Sequence, residues 1–570
     1  MMNPPKRSRE SRGIRTSGGA DALTFSLGEY ASCIEERIRA WEKSGYARRL
    51  WARDASLWAS GPVSDIGNRL GWLDLPERME PRLAGISAFA AEIRSESFTH
   101  AVLLGMGGSS LAPEVFQRVF GNAPGFPGLI VLDSTHPGAV AAVERKIDLS
   151  RTLFIVSSKS GTTVEPLSFF RYFWSRVGPV AASPGRHFIA ITDPGTPLAV
   201  LAGERGFRRI FKAEPDVGGR FSALTEFGLV PAALIGQDIR TLVASARDEA
   251  AANAAGVPVE KAPGLRLGAA LGEVAAARDK LTFLVSPSLR SFPDWLEQLV
   301  AESTGKDGQG IVPVAGEPPF PVAEYGRDRI FVSFILEGDP AEDINRLTAS
   351  LEGAGHPVIR VRLGNIFSLG REFFRWEVAV AAAGSVLGIH PFNQPDVELA
   401  KELARTAMAR DSGCDPEASA PEDAVPVDDP DTLRTALGGW LAQARARDYV
   451  ALQAYLAPED KTDRALQALR SAVSKRTGLA TTLGYGPRFL HSTGQLQKGG
   501  PDEALVLQLV DEAPHDLAVP GTDLTFGALI RAQALGDYQA LRRKGRRVLR
   551  VNLKGDPSGG IGLLEKWAGA

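Results

Sequence analysis

Residues 153–166 read Leu-Phe-Ile-Val-Ser-Ser-Lys-Ser-Gly-Thr-Thr-Val-Glu-Pro. The apolar run from Leu153 to Val156 is followed, within residues 157–163, by five hydroxyl side chains, one lysine and one glycine. The pattern then turns helical through Leu167, Phe169, Phe170 and Phe173. A buried strand, a small-residue turn and a helix start make an anion pocket. Backbone N–H groups point outward at such a turn, and the helix dipole favours negative charge. Ser158, Ser160, Thr162 and Thr163 can each add a hydroxyl donor. The glycine ladder of a nucleotide loop is missing, so the pocket suits a single phosphate on a small molecule.

The flanking sequence repeats the strand–helix alternation. Ala101–Leu104, Leu129–Leu132, Thr152–Val156 and Phe188–Ile191 are short β-rich runs, each followed by turn residues and a helical pattern. This predicts a doubly wound parallel α/β sheet. A second unit starts near Leu281, with strands Thr282–Val285, Ile330–Ile335 and Val358–Val361. Its helices are expected at Pro293–Ser303, Asp343–Leu351, Phe373–Val386 and Val397–Met408.

Residues 1–20 are basic, rich in Ser, Gly and Pro and without an apolar core, which predicts a flexible tail and argues against a signal peptide. Residues 21–96 are expected to be mostly helical, 97–245 to form the first sheet domain and 246–410 the second. Residues 411–431 read as an acidic linker. In the third region, 432–570, a helix-like stretch covers 432–474, strands are expected at Leu505–Leu509 and Val548–Val551, and a helix near 526–544. Gly355–Leu363 weakly echoes Gly545–Leu553, each reading as a helix end followed by a buried strand.

Bulk properties narrow the function. At 570 residues the chain exceeds one core. A net charge of −2 offers no global attraction for nucleic acid or anionic membrane. The longest apolar stretch, around Val378 to Ile389, is well short of the ~20 residues that span a bilayer. Two cysteines, Cys33 and Cys414, supply neither a disulfide framework nor a metal set, and a cytoplasmic location is expected.

Further islands carry chemistry. Gly105-Met106-Gly107-Gly108-Ser109-Ser110 follows the first strand of the first sheet. With the 158–163 loop it would lie at the carboxyl ends of parallel strands, where such sheets bind ligands. Taken singly, each serine suits a helix N-cap better than a ligand contact. Val217-Gly218-Gly219-Arg220-Phe221-Ser222 places one arginine after two glycines. In Gln298-Leu299-Val300-Ala301-Glu302-Ser303-Thr304-Gly305-Lys306, Gln298 and Glu302 share a helix face. Glu302 sits near the helix C-terminus, where the dipole disfavours a carboxylate, which favours a functional role over a solvated surface glutamate. The last island, His390-Pro391-Phe392-Asn393-Gln394-Pro395-Asp396, leads into Lys401.

These islands, occurring in order over residues 20–410, resemble the glucose-6-phosphate isomerase (phosphoglucose isomerase) family, whose fold is two sugar-isomerase (SIS) domains. The segments are GMGGSSLAPE, SSKSGTTVEP, VGGRFSALTEFG, QLVAESTGKDG and FNQPDVELAK. The resemblance is nearest to the isomerase portion of bacterial transaldolase–isomerase fusions. It implies two SIS-type doubly wound parallel-sheet domains, with the C-terminal α/β region completing the second. It also implies a metal-free, cofactor-free aldose–ketose isomerase acting on a small sugar phosphate, as monomer or homodimer.

The resemblance assigns Ser109, Ser158, Ser160 and Thr163 to the phosphate, with Lys159 and Thr162 lining the loop. Glu302 becomes the base between C1 and C2. Arg220 faces the enediolate charge, Gln298 and Gln394 contact the sugar, and Lys401 with a histidine opens the ring. Two departures stand out: Asn393 where the family has Asp, and His390 where it often has Asn. Moreover, the family's histidine follows soon after the base motif, yet residues 307–332 contain none. Leu490-His491-Ser492-Thr493-Gly494-Gln495 resembles the missing segment, so His491 is expected to reach back from the third region. His390 and His356 are the rivals. Competing functions are a non-catalytic sugar-phosphate-binding SIS regulator, an isomerase that also takes mannose 6-phosphate, and a second activity in residues 432–570.

Overall fold

The computed structural model describes residues 21–59, 61, 64–397, 402–403 and 424–569. It opens on strand β1 (Ala22–Ser26), inside the stretch expected to be helical. A five-residue edge strand is too short to show its period beside the long helices that follow, among them Ala31–Ser44 and Leu75–Ser95.

The first sheet comprises β2 (His100–Leu104), β3 (Gly128–Leu132), β4 (Thr152–Ser157), β5 (Phe188–Thr192) and β6 (Arg209–Lys212). All are parallel, in the order β3-β2-β4-β5-β6. Strand β4 is buried throughout, which explains why it reads as one apolar run rather than an alternation. From β2 the chain winds one way to β3 and then crosses to β4 on the other side. The crevice between the ends of β2 and β4 is therefore the switch point of this sheet, and both the Gly105–Ser110 and Ser158–Thr163 loops open onto it.

The second sheet comprises β7 (Lys280–Val285), β8 (Val312–Val314), β9 (Arg329–Leu336) and β10 (Val358–Leu363), with β1 antiparallel on its edge. Its order is β1-β10-β9-β7-β8. Helices Pro263–Ala275 and Leu369–Leu387 pack at a seam of Gly264, Gly268 and Gly272. A Cβ on Gly268 would sit 2.6 Å from the carbonyl oxygen of Ala379, so the helices approach at backbone distance only because these positions lack one. The largest apolar core joins these helices to the N-terminal ones and to both sheets.

The third region, expected to complete the second domain, adds no strand to the second sheet among the described residues. It carries its own parallel sheet, β11 (Val425–Pro426), β12 (Tyr449–Tyr455), β13 (Ala480–Tyr485), β14 (Ala504–Val510) and β15 (Arg547–Asn552). The order is β11-β15-β14-β12-β13. The stretch expected to be one helical block at 432–474 is helix Pro430–Leu441, strand β12 and helix Asp460–Thr477. Strand β12 is buried on both faces, so its residues carry no alternation to separate it from buried helix. Val425–Pro426, expected in the linker, pair with β15. The rest of the expected linker up to residue 423, the tail 1–20, Cys414 and most of the helix expected over 397–408 lie outside the described residues. The echo at residues 355 and 545 corresponds to matching helix-to-strand turns before β10 and β15.

The third region grips the first sheet. Val519 and Phe526 enter the core formed by Val102, Leu104, Phe169 and Phe173. Phe526 stacks on Phe169 with ring centres 5.8 Å apart. Among the described residues no helix is long and apolar enough to cross a membrane.

Candidate active site

Helix Val164–Val177 starts directly after the hydroxyl loop. Thr163 occupies its N-cap position without making a side-chain cap bond; instead its hydroxyl accepts from Ser158 at 3.1 Å. Ser160 and Thr162 pair at 2.9 Å and are exposed, whereas Ser158 is buried. The N-cap position of this helix thus falls to Thr163 rather than to a serine, and its hydroxyl pairs with Ser158 within the loop. Lys159 departs from the expected loop lining. Its ammonium points to Asp193 at 2.6 Å and to the Glu214 and Pro215 carbonyls. Burial pulls this ammonium below its ordinary range, partly offset by Asp193.

The opposite wall is the glycine loop. Ser109 is buried in the one-turn helix Gly107–Ser109. Gly108 lies against the Gly219–Phe221 turn so closely that a Cβ would fall 2.0 Å from the Gly219 carbonyl oxygen. That contact seats Arg220 under the loop.

Arg220 is 3% exposed and committed on every nitrogen. Nε donates to Ser303 Oγ at 2.8 Å, and Nη2 donates to the carbonyls of Pro391 and Asn393 at 2.6 and 3.0 Å. Nη1 lies 2.9 Å from Glu302 Oε1 and 3.2 Å from Gln394 Oε1. Burial weakens the guanidinium's hold on its proton, and the Glu302 carboxylate opposes that loss. Gln394 itself is exposed at the rim. Nearby, Lys306 donates to the His390 carbonyl at 2.7 Å, and burial and Arg220 hold its ammonium well below the usual lysine range.

Glu302 and Gln298 project from helix Phe292–Thr304, as the i,i+4 spacing predicts. The Gln298 amide donates to Glu302 Oε2 at 3.1 Å and to the backbone carbonyl of His491 at 2.7 Å. The same amide nitrogen thus touches its own helix neighbour and a residue of the third region 193 positions from Gln298. His491 lies against Gly107, whose added Cβ would meet the His491 Cβ at 2.8 Å. Its Nε2 is 3.4 Å from Glu165 Oε1. Sequence reading gave no role to Glu165, although it belongs to the quoted loop motif and lies in the first turn of the helix.

The structure therefore links Arg220, Gln298, Glu302, Gln394 and His491 by direct contacts, sets the Gly107–Ser109 turn against His491 and Gln298, and joins His491 through Glu165 to the helix that follows the Ser158–Thr163 loop. Lys401 lies outside the described residues. His356 sits elsewhere, against Arg278 and Phe331. His390 uses Nδ1 to accept from the Phe392 amide and its carbonyl to hold Lys306. The Gln495 side chain clasps Asp396 and the Gly305 carbonyl, tying the Asn393–Asp396 turn to the segment that bears His491.

Comparison with known proteins adds an independent line. The sequence profile of the phosphoglucose isomerase family matches residues 87–311. A glucose-6-phosphate isomerase of Parabacteroides distasonis is 30% identical over 387 residues, covering 58% of this chain and 85% of its own length. The crystal structure of a hypothetical protein from Thermus thermophilus superposes with a TM-score of 0.58 at 27% identity, over 68% of this chain and all of that one. A glucose-6-phosphate isomerase from Chlamydia trachomatis shares the fold, with a TM-score of 0.59 at 18% identity over 71% of this chain and 91% of its own.

Proposed function

The chain belongs to the phosphoglucose isomerase family, and from that membership we propose how its cleft interconverts glucose 6-phosphate and fructose 6-phosphate. It is an aldose–ketose isomerase. Moving one hydrogen between neighbouring carbons leaves the molecule's overall oxidation level unchanged, so the reaction needs a base, an acid and a cation.

The phosphate binds the Ser158–Thr163 loop and Ser109. In the free protein these hydroxyls pair with one another, Ser158 with Thr163 and Ser160 with Thr162, and on binding they redirect to the phosphate oxygens. His491, backed by Glu165, exchanges a proton with the ring oxygen, assisted by Lys401. The open chain then presents C1 and C2 to Glu302, which removes the proton from one carbon and returns it to the other. Arg220, already fixed by three neighbours besides Glu302 and Gln394, faces the oxygen on which charge develops. Being held in advance, it needs no reorganisation as the charge appears.

The observation that carries this reading is the Gln298 amide, which spans Glu302 and the His491 backbone and so links the proton-transfer group to the ring-opening group. The test is a coupled assay with glucose, fructose and mannose 6-phosphates offered separately, run beside exchange of the C2 proton with heavy water. Glu302→Gln should lower turnover roughly a hundred- to ten-thousandfold and abolish exchange while phosphosugar acids still bind. Tight binding of sugar phosphates by the wild type with no exchange would identify a sugar-phosphate-binding regulator instead.

A further inference from the structure

Behind Glu165 lies a polar chain from the third region that the reaction as described does not use. Gln533 is 4% exposed and sits on helix Phe526–Arg543. Its Nε2 donates to Glu165 Oε1 at 2.6 Å, and its Oε1 accepts from the Thr135 hydroxyl at 2.7 Å. Glu165 Oε1 is the same oxygen that faces His491 Nε2 at 3.4 Å. Thr135, Gln533, Glu165 and His491 thus form one line across the junction of the first sheet and the third region.

We propose that Gln533 is a positioning residue for ring opening, holding the Glu165 carboxylate against His491. The orientation of the amide follows from chemistry. An ionised Glu165 can only accept, so the Gln533 NH2 group must face it, which leaves the amide oxygen to accept from the Thr135 hydroxyl. A carboxylate only 4% exposed is costly unless donors satisfy it, and Gln533 supplies a strong one without adding charge. With Glu165 ionised and fixed, His491 directs Nε2–H to it and leaves Nδ1 for the sugar. The helix that carries Gln533 is itself anchored. Phe526, seven residues earlier and therefore on the same face, stacks on Phe169 of the helix that bears Glu165. Gln533 is thus held at one fixed distance from Glu165.

Other ionisable groups surround this line. Glu302 is reached through Gln298, and Arg488 with Asp133 and Glu114 precedes His491 on its turn. His136 with Asp511 lies beside Thr135, and Lys498 with Asp537 lies one turn beyond Gln533. Apart from Glu302, which pairs with Arg220, these groups are paired among themselves, and Gln533 bears on Glu165 from the side of the third region.

This role rests on the isomerase reading, and the experiment separates the two. Gln533→Leu keeps volume and removes the donor. It should lower kcat on glucose 6-phosphate roughly ten- to a hundredfold, leave KM within about threefold, and leave inhibition by open-chain 6-phosphogluconate unchanged. The acidic limb of its kcat–pH profile should move to higher pH, because a buried carboxylate deprived of a donor takes up a proton more readily. Gln533→Glu donates only while protonated, so it should outperform Gln533→Leu near pH 6 and lose that advantage near pH 9. Thr135→Val frees the amide to turn and should give a smaller loss in the same direction; it carries the test if Gln533→Leu fails to fold. Wild-type kcat and an unshifted acidic limb in these variants overturn the role while leaving the reaction intact. A wild-type protein that turns over no hexose 6-phosphate overturns the reaction assignment, and the role with it.

Discussion

The pairing of Gln298 with Glu302 and of the loop hydroxyls was legible in the sequence because it is local, whereas Ser303 and Gln394, partners that fix Arg220, lie 83 and 174 positions from it. The i,i+4 relation of Gln298 and Glu302 needed nothing from the rest of the fold. Glu165 was not legible. Its meaning comes from His491, which is 326 positions away. Lys159 shows the converse, a motif residue whose ammonium is taken by Asp193, a partner outside the motif. For Thr163, replacement by Val removes a donor to a charged ligand and should weaken 6-phosphogluconate inhibition about ten- to a hundredfold. Unchanged inhibition would place the phosphate elsewhere. On the same helix as Glu302, burial pushes the Glu297 carboxyl up to about 8, with Asp294 repelling it further. The group's contribution to stability is therefore present below pH 4.5 and lost as pH rises through about 8. Glu297→Gln should leave the melting temperature unchanged near pH 4 and raise it by a few degrees near pH 8.5. An equal shift at both values would refute the assignment.

Helices and strands were readable where their period had room to repeat. Strands β2, β4, β5, β9 and β10 are bounded by turn residues, and their apolar runs match the observed spans to within two residues at each end. Strand β12 escaped because burial on both faces removes the alternation, and β1 because its pairing with β10 is a long-range event. Between elements, the tightest contact at the site is the one-turn helix Gly107–Ser109 against Gly219–Phe221. A methyl group at Gly108 cannot be accommodated by rotating a side chain, since it meets backbone. Gly108→Ala should therefore cost about 1–3 kcal/mol by forcing the turns apart. It should also lower kcat more than Gly128→Ala, whose nearest neighbour is a side-chain atom at 3.3 Å. Comparing melting curves and turnover of the two variants checks this; equal effects would mean the contact does not seat Arg220.

The described residues form three sheets, and the third is fastened to the first by apolar packing, the Arg488 cluster, the His136–Asp511 pair and the Thr135–Gln533–Glu165 line. Arg488 lies 2.6 Å from Asp133 and 2.6 Å from Glu114, both nearly buried. Glu114 keeps Arg118 at 2.7 Å, so Arg488→Met strips the cation from Asp133 and weakens the pairing of Glu114, at a cost of about 3–5 kcal/mol. Because the same turn ends at His491, activity should fall at temperatures where the rest of the fold persists. Coincident loss of activity and of ellipticity, at the wild-type temperature, would show that the link is dispensable. The sequence alone pointed to the first two sheets and to a third region that folds back, but not to a third sheet of its own, because which strands share a sheet depends on pairings between distant segments.

The 326 positions separating Glu165 from His491 also matter during synthesis. At roughly 5–20 residues per second, a ribosome that has finished the phosphate loop needs about a quarter of a minute to a minute more to deliver the histidine. Throughout that interval the phosphate loop waits for its histidine, and Val519 and Phe526, which close the core beside that loop, are made later still. The active centre is thus finished only near the end of translation, and a chain cut short between the two segments lacks the ring-opening group.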